Sequence, residues 1–180
     1  MKYENEPQTP SPWPVRVLFV CHGNICRSVA AEMVLRQMID EARPGSLPEI
    51  SVESAAATRE EIGNDIYPPM KRALQARGYV CHHHAAWQTT RADYDRFDYI
   101  IGMDSENLYD MRRIYGGDAS GKISLLRAWA GQPGREIDDP WYTRNFEGVL
   151  SQIEEGCRGL LSALAQRAFS ENVDKHGKMQ

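Results

Sequence analysis

Val15-Arg16-Val17-Leu18-Phe19-Val20-Cys21, continued by His22-Gly23-Asn24-Ile25-Cys26-Arg27-Ser28, is the stretch that decides the fold. Its first half is a nearly continuous β-branched and aromatic run. Such a run suits a central parallel strand covered on both faces. Residues 29–42 follow with Val29, Met33, Val34 and Met38 at helical spacing, and Pro44-Gly45 ends them. The chain therefore passes from a buried strand through a short turn into a helix. Gly23 and Asn24 are the residues of that turn best suited to positive φ. A turn of this kind aims successive backbone N–H groups inward, and the helix N-terminus adds positive potential. The same field favours a thiolate at Cys21, the reactive form of cysteine. Arg27, at the helix start, is placed to grip a phosphate in bidentate fashion. The segment reads as an anion trap with a nucleophile in its floor, which points to chemistry on a phosphorylated substrate.

Outward from this segment, helices and strands alternate. A short second strand is predicted at residues 50–55 and a loop at 56–66. Pro68-Pro69 opens a helix over 70–77, which Gly78 closes. Residues 80–89 read as irregular, and Thr90-Arg91-Ala92-Asp93 resembles a capping box. A third strand is predicted at 97–103, with Asp104-Ser105 starting a helix to Ile114. A fourth strand follows at 123–128 and a loop at 131–145. The last helix is predicted over 146–169, with Val149, Ile153, Cys157, Leu160, Leu161 and Leu164 on one face. This order predicts an α/β fold: a parallel sheet flanked by helices, with its ligand site beyond the carboxyl end of the first strand. Residues 1–14, with four prolines, read as a mobile N-terminal extension in which Trp13 either docks on the body or stays loose; residues 170–180 read as a polar, frayed tail.

Composition narrows the function. The 180 residues suit one domain with a substantial core. Apolar residues make up 42% and charged residues 26%, a globular balance. The net charge of −4 argues against bulk nucleic-acid binding. No apolar stretch reaches membrane-spanning length, and the N-terminus lacks a signal-peptide pattern, so a cytoplasmic location is expected, with no membrane partner. Four cysteines, at 21, 26, 81 and 157, are too few for a disulfide scaffold in a chain of this length.

Three further features carry chemistry. The first is Asp139, within Glu136-Ile137-Asp138-Asp139-Pro140-Trp141-Tyr142. Proline biases the preceding residue toward an extended backbone, which can hold the Asp139 side chain outward as a proton donor. Trp141 and Tyr142 offer an aromatic wall for a flat leaving group; a generic acidic turn beside core aromatics is the other reading. The second is Cys26, either a small apolar filler or a disulfide partner that shields Cys21 from irreversible oxidation. The third is Cys81-His82-His83-His84. These ligand types are consecutive and do not converge readily on one ion, so no metal site and no cofactor are expected. Ser28 is either an N-cap or a hydroxyl that stabilises the Cys21 thiolate.

Together these residues resemble the low-molecular-weight protein tyrosine phosphatases. Their phosphate loop, Cys-x-Gly-Asn-x-Cys-Arg-Ser, stands here as residues 21–28, and their Asp-Pro with two aromatics stands as residues 139–142. Residues 97–107 (FDYIIGMDSEN) resemble the family's third strand and helix start, and residues 84–88 (HAAWQ) resemble its His-x-Ala-Arg-Gln stretch. The resemblance implies a four-stranded parallel sheet and a metal-free, two-step hydrolysis. It implies that Cys21 attacks phosphorus, Arg27 holds the phosphoryl oxygens, and Asp139 protonates the leaving group and then activates water. It also implies that the loop residues His22, Gly23, Asn24, Ile25, Cys26 and Ser28, with Trp141 and Tyr142, meet the substrate, and that Asn24, Ser28 and His84 support the loop. The expected partner is a phosphorylated protein or a small aryl phosphate, with phosphate or sulfate bound in the loop.

Departures from the family pattern bear on specificity. Glu60 stands where an aromatic often walls the crevice, Trp87 where the pattern has arginine, and His22 where apolar residues are common. Arsenate reductases on this scaffold need a downstream cysteine pair, where this chain has only Cys81 and Cys157. Arginine phosphatases favour threonine at the position of Ile25, whose bulk favours an aryl phosphate. A non-catalytic phosphate-binding module would need neither Cys21 nor Asp139.

Overall fold

β1 (Val15–Cys21) lies inside a four-stranded, all-parallel sheet of order β2-β1-β3-β4, with β2 at Ile50–Ala56, β3 at Tyr99–Gly102 and β4 at Ile123–Leu125. The computed structural model describes residues 14–177, with side chains placed through residue 167. The expected N-terminal extension and Trp13 lie outside the described residues. From β1 the chain crosses to β2 on one side, then returns past β1 to β3 on the other. The strand order therefore switches at the carboxyl end of β1, where Cys21 sits, and that is where open α/β sheets bind ligands.

Alternation along β1 divides the core. Val17, Phe19 and Cys21 face α1 (Arg27–Asp40), α2 (Pro68–Ala76) and α6 (Phe146–Gly177), against Val29, Leu35, Leu74, Ile153 and Leu160. Leu18 and Val20 face the other layer, where Ile100 meets Met111 and Tyr115 of α4 (Ser105–Tyr115). Between these elements lies a single turn, α3 (Asp93–Arg96), and before α6 another, α5 (Pro140–Thr143). The first nine residues of α1 are all buried, because that half lies between sheet and α6. An amphipathic rhythm begins only at Arg36.

Several boundaries differ from the sequence expectation for physical reasons. β3 is shorter than residues 97–103 because Phe97 terminates α3 and the Met103 N–H donates to Asn107 Oδ1 at 3.0 Å rather than to a strand. β4 stops at Leu125. Residues Leu126–Ala130 turn into a 3₁₀ helix, which presses against Gly156 and Gly159 of α6. The anticipated capping box at Thr90 forms in half: the Asp93 carboxylate accepts the Thr90 N–H at 2.7 Å, but the Asp93 N–H goes to the Thr90 carbonyl. A full box opens α4, where Asp104 and Asn107 cap each other reciprocally. The last helix continues past residue 169 to Gly177, since residues 170–176, polar apart from Val173, hold no glycine or proline to end it.

Candidate active site

Residues 22–26 carry the chain from β1 into α1. Asn24 takes the left-handed conformation, with φ +59°, and Gly23 does not. Glycine at 23 answers a different demand: a Cβ there would lie 3.0 Å from Glu61 Cγ on the neighbouring loop. α1 begins at Arg27 with Cys26 at its N-cap, and no side chain caps it. Ser28 is thus inside the first turn and is not the N-cap. Its backbone N–H points at Cys21 Sγ, 3.4 Å away, and its hydroxyl oxygen lies 3.0 Å from the same sulfur. The free N–H groups of a helix start, with no acidic residue in the first turn, favour an anion at this point.

Beneath the loop runs a hydrogen-bond chain whose direction is set by donor counting. Glu32, buried and paired with Arg36 at 2.8 Å, accepts the Ser54 hydroxyl at 2.5 Å. Having given its single proton to a carboxylate, Ser54 can only accept from Asn24 Nδ2, at 2.8 Å. That fixes the Asn24 amide, whose second N–H donates to Ser28 Oγ at 2.9 Å and whose Oδ1 receives the Trp87 N–H at 3.4 Å. Ser28 Oγ lies 3.5 Å from the Ala55 carbonyl as well as 3.0 Å from Cys21 Sγ, so its one proton serves a thiolate at Cys21 only by leaving that carbonyl. His84 braces the loop from outside, its Nε2 lying 2.6 Å from the Asn24 carbonyl. His82 and His83 are exposed while His84 is buried, and no metal-binding group of three ligands occurs among the described residues.

Arg27 is nearly fully buried, and its partners account for its orientation. Nη1 donates to Asp104 Oδ2 at 2.6 Å and to the Ile137 carbonyl at 3.1 Å, so both its hydrogens are committed. Nη2 lies 3.4 Å from Asp139 Oδ2. Donors for an anion remain on Nε and Nη2. Burial works against the guanidinium charge, but Cys21, Asp104 and Asp139 outweigh it and hold the Arg27 pKa above its ordinary value. Asp139 has the extended backbone expected before proline, and its Oδ1 caps α5 by accepting the Trp141 N–H at 2.9 Å. The loop that carries it is anchored where the Ile137 N–H donates to the Met103 carbonyl.

These groups share one cavity of about 300 Å³. Cys21, Arg27 and Asp139 line it, with His22, Gly23, Ile25, Cys26, Glu60, Trp141 and Tyr142. Asn24 and Ser28 lie beneath the loop with buried side chains instead of on its wall. Three lining residues were not anticipated from sequence: Tyr67, Glu61 and Glu106. Tyr67 packs on Trp141 with ring centres 5.6 Å apart, and its N–H donates to the Ile25 carbonyl. The only advance signal for Tyr67 was its place before Pro68-Pro69. All four cysteines are free. Burial, reinforced by Cys21, pushes the Cys26 thiol well above its ordinary range. Cys157 is buried against the Ala31 carbonyl, and neither it nor Cys81 lines the cavity.

Comparison with known proteins agrees with this arrangement. Residues 16–170 match the family described as low molecular weight phosphotyrosine protein phosphatase. The chain belongs to that family. The low-molecular-weight protein-tyrosine-phosphatase YfkJ of Bacillus subtilis is 36% identical over 83% of this chain and 96% of its own length. Its crystal structure superimposes with a TM-score of 0.79, covering 85% of this chain and 96% of that one. The Gallus gallus low molecular weight phosphotyrosine protein phosphatase is 38% identical over 81% of this chain and 92% of its own. The four-stranded parallel α/β architecture of this phosphatase family is the one described above.

Proposed function

We propose that the protein is a protein-tyrosine-phosphatase that hydrolyses phosphotyrosine, an aryl phosphate monoester, through a cysteinyl-phosphate. One observation carries this reading: the Cys21 sulfur sits against an uncapped helix N-terminus in the cavity that also holds Arg27 and Asp139. The substrate ring lies along Tyr67, Trp141 and Tyr142, and the phosphoryl group enters the loop. The Cys21 thiolate attacks phosphorus while the P–O bond to the ring breaks. Arg27, through Nε and Nη2, and the loop N–H groups hold the three equatorial oxygens. Protonated Asp139 gives its proton to the departing phenolate oxygen. In the second step the Asp139 carboxylate takes a proton from water as that water attacks phosphorus. The S–P bond breaks, inorganic phosphate leaves, and the thiolate returns.

His84, Asn24 and Ser28 position the loop in this scheme. Cys26 is the partner that would trap an oxidised Cys21: its sulfur attacks the sulfur of a Cys21 sulfenic acid, the S–O bond breaks, water leaves and a disulfide forms. The reading places the protein in the cytoplasm, where a reducing medium keeps Cys21 free. Among the described residues no helix is long and apolar enough to cross a membrane. The mild acidic balance favours a phosphorylated protein or small aryl phosphate as partner over nucleic acid.

Hydrolysis of para-nitrophenyl phosphate and of a phosphotyrosine peptide by the reduced protein, at mildly acidic pH, is the test. Cys21→Ser abolishes turnover and keeps phosphate binding. Asp139→Asn slows poor leaving groups more than good ones, and equal losses for both would remove Asp139 from the acid role.

A further inference from the structure

The mouth of the cavity has a charge pattern that the hydrolytic mechanism does not use. Glu60, Glu61 and Glu106 all line it, and they come from separate elements: the loop after β2 supplies two and the first turn of α4 the third. Glu60 is two-thirds exposed and its Oε2 lies 2.9 Å from His22 Nε2. Glu61 accepts the Asn64 side-chain N–H at 2.6 Å and stays partly exposed. Glu106 is exposed, and among the described residues its carboxylate has no hydrogen-bond or ion-pair partner.

Among the described residues no fixed cation balances them at the rim. Arg27 is the cavity's arginine, but it lies in the floor between Asp104 and Asp139. Arg144 lies behind the aromatic wall, over the Trp141 ring and 3.2 Å from the Tyr67 hydroxyl. Arg59 is exposed next to Glu60 and is not part of the lining. His22 adds a charge only when protonated. The site thus separates two demands. The floor takes a phosphate dianion through N–H groups and Arg27, while the mouth presents carboxylates to whatever surrounds the phosphorylated ring. An acidic segment docking there meets like charge, whereas a cationic one meets exposed acceptors.

Resting on the phosphotyrosine reading above, we propose that Glu60, Glu61 and Glu106 select substrates whose phosphotyrosine is flanked by lysine or arginine. The carboxylates act on the encounter and on the seating of neighbouring side chains, and take no part in the phosphoryl transfer. Because they are exposed, their effect falls with added salt.

The test uses para-nitrophenyl phosphate and three peptides with one phosphotyrosine core, flanked by lysines, by glutamines or by glutamates. Phosphate release is followed at low and high ionic strength. The expected order in kcat/KM is lysine, glutamine, glutamate, with about a tenfold span between the extremes at low salt. That span narrows at high salt, and the salt dependence has opposite sign for the two charged peptides. The double substitution Glu60→Gln and Glu106→Gln narrows the span, and Glu60→Lys with Glu106→Lys inverts the order. If the peptides react equally or in reverse order, the selection is overturned and the phosphotyrosine reading stands; if para-nitrophenyl phosphate is turned over but no peptide is, the phosphotyrosine reading has failed and the selection with it. The selection is also overturned if the span survives the substitutions. If neither para-nitrophenyl phosphate nor any peptide is turned over, the phosphatase reading itself has failed.

Discussion

Replacing Asp104 by asparagine separates two tasks that one carboxylate performs. Oδ1 accepts the Asn107 N–H at 2.8 Å and caps α4, while Oδ2 holds Arg27 Nη1 at 2.6 Å. The two side chains are 16% and 4% exposed, so solvent screens the pair little. With charge centres about 4 Å apart and an effective dielectric near 20, the attraction is about 4 kcal/mol. The variant recovers part of this by no longer desolvating the Asp104 carboxylate, and Arg27 keeps Asp139 and the Ile137 carbonyl. Breaking one partner out of a buried pair costs about 3–5 kcal/mol, and the partners Arg27 retains bring the net loss to about 2–3 kcal/mol. Asparagine can still cap α4 through its oxygen, but its N–H₂ then faces the guanidinium, donor against donor. For a chain of this size the loss corresponds to a Tm lower by about 4–12 °C. Asp104→Ala should fall further, by about 1 kcal/mol, because it also removes the cap. A guanidinium free to turn no longer holds Nε and Nη2 for the substrate, so kcat/KM for an aryl phosphate should drop about ten- to hundredfold. Calorimetry and steady-state kinetics on both variants read these quantities. If Asp104→Asn melts within about 2 °C of the unaltered protein and keeps its kcat/KM, Asp104 does not set the orientation of Arg27.

Three further expectations follow from other parts of the fold. Glu32→Gln leaves a single oxygen for two donors, the Arg36 guanidinium and the Ser54 hydroxyl, so the Ser54–Asn24–Ser28 chain loses its enforced direction; kcat should fall about tenfold with little change in KM, and Cys21 should be alkylated more slowly at a fixed pH. An unchanged alkylation rate would show that the chain does not reach the sulfur. Gly159→Ala drives a methyl group into the Trp129 carbonyl, a backbone atom of the 3₁₀ turn, and should cost about 3 kcal/mol, seen as a lower urea midpoint. The Lys71 hydrogen bond holds the Asp65 carboxyl below its ordinary pKa. Its stabilising effect is therefore fully present above about pH 4 and is lost as the pH falls through the lowered folded value. The gap in urea midpoint between the unaltered protein and Lys71→Met should close toward about pH 2, and a gap independent of pH would contradict the linkage.

Local sequence was enough to determine the strand, the turn and the helix around Cys21, because each is a short-range consequence of side-chain shape. A β-branched run makes β1, a residue tolerant of positive φ makes the turn at Asn24, and the Asp139-Pro140 pair fixes an extended backbone before α5. The parallel sheet was legible for a similar reason, since strands alternated with helices along the whole chain. Contacts between residues far apart in sequence were decided only by the tertiary structure. Asp104 read as a helix start, and its second oxygen became the anchor of Arg27 once β3 was laid beside β1. Ser54 and Glu32 had no local signature, yet the pairing of β2 with β1 sets Ser54 between Asn24 and Glu32 of α1, where proton counting orders the chain from Glu32 to Ser28. The end of β4 and the close approach of Gly159 depended on how α6 packs across the sheet. Glu60 was visible as a departure at one position. Its conjunction with Glu61 and Glu106 around a single cavity arose because the loop after β2 and the start of α4 meet at the carboxyl edge of the sheet.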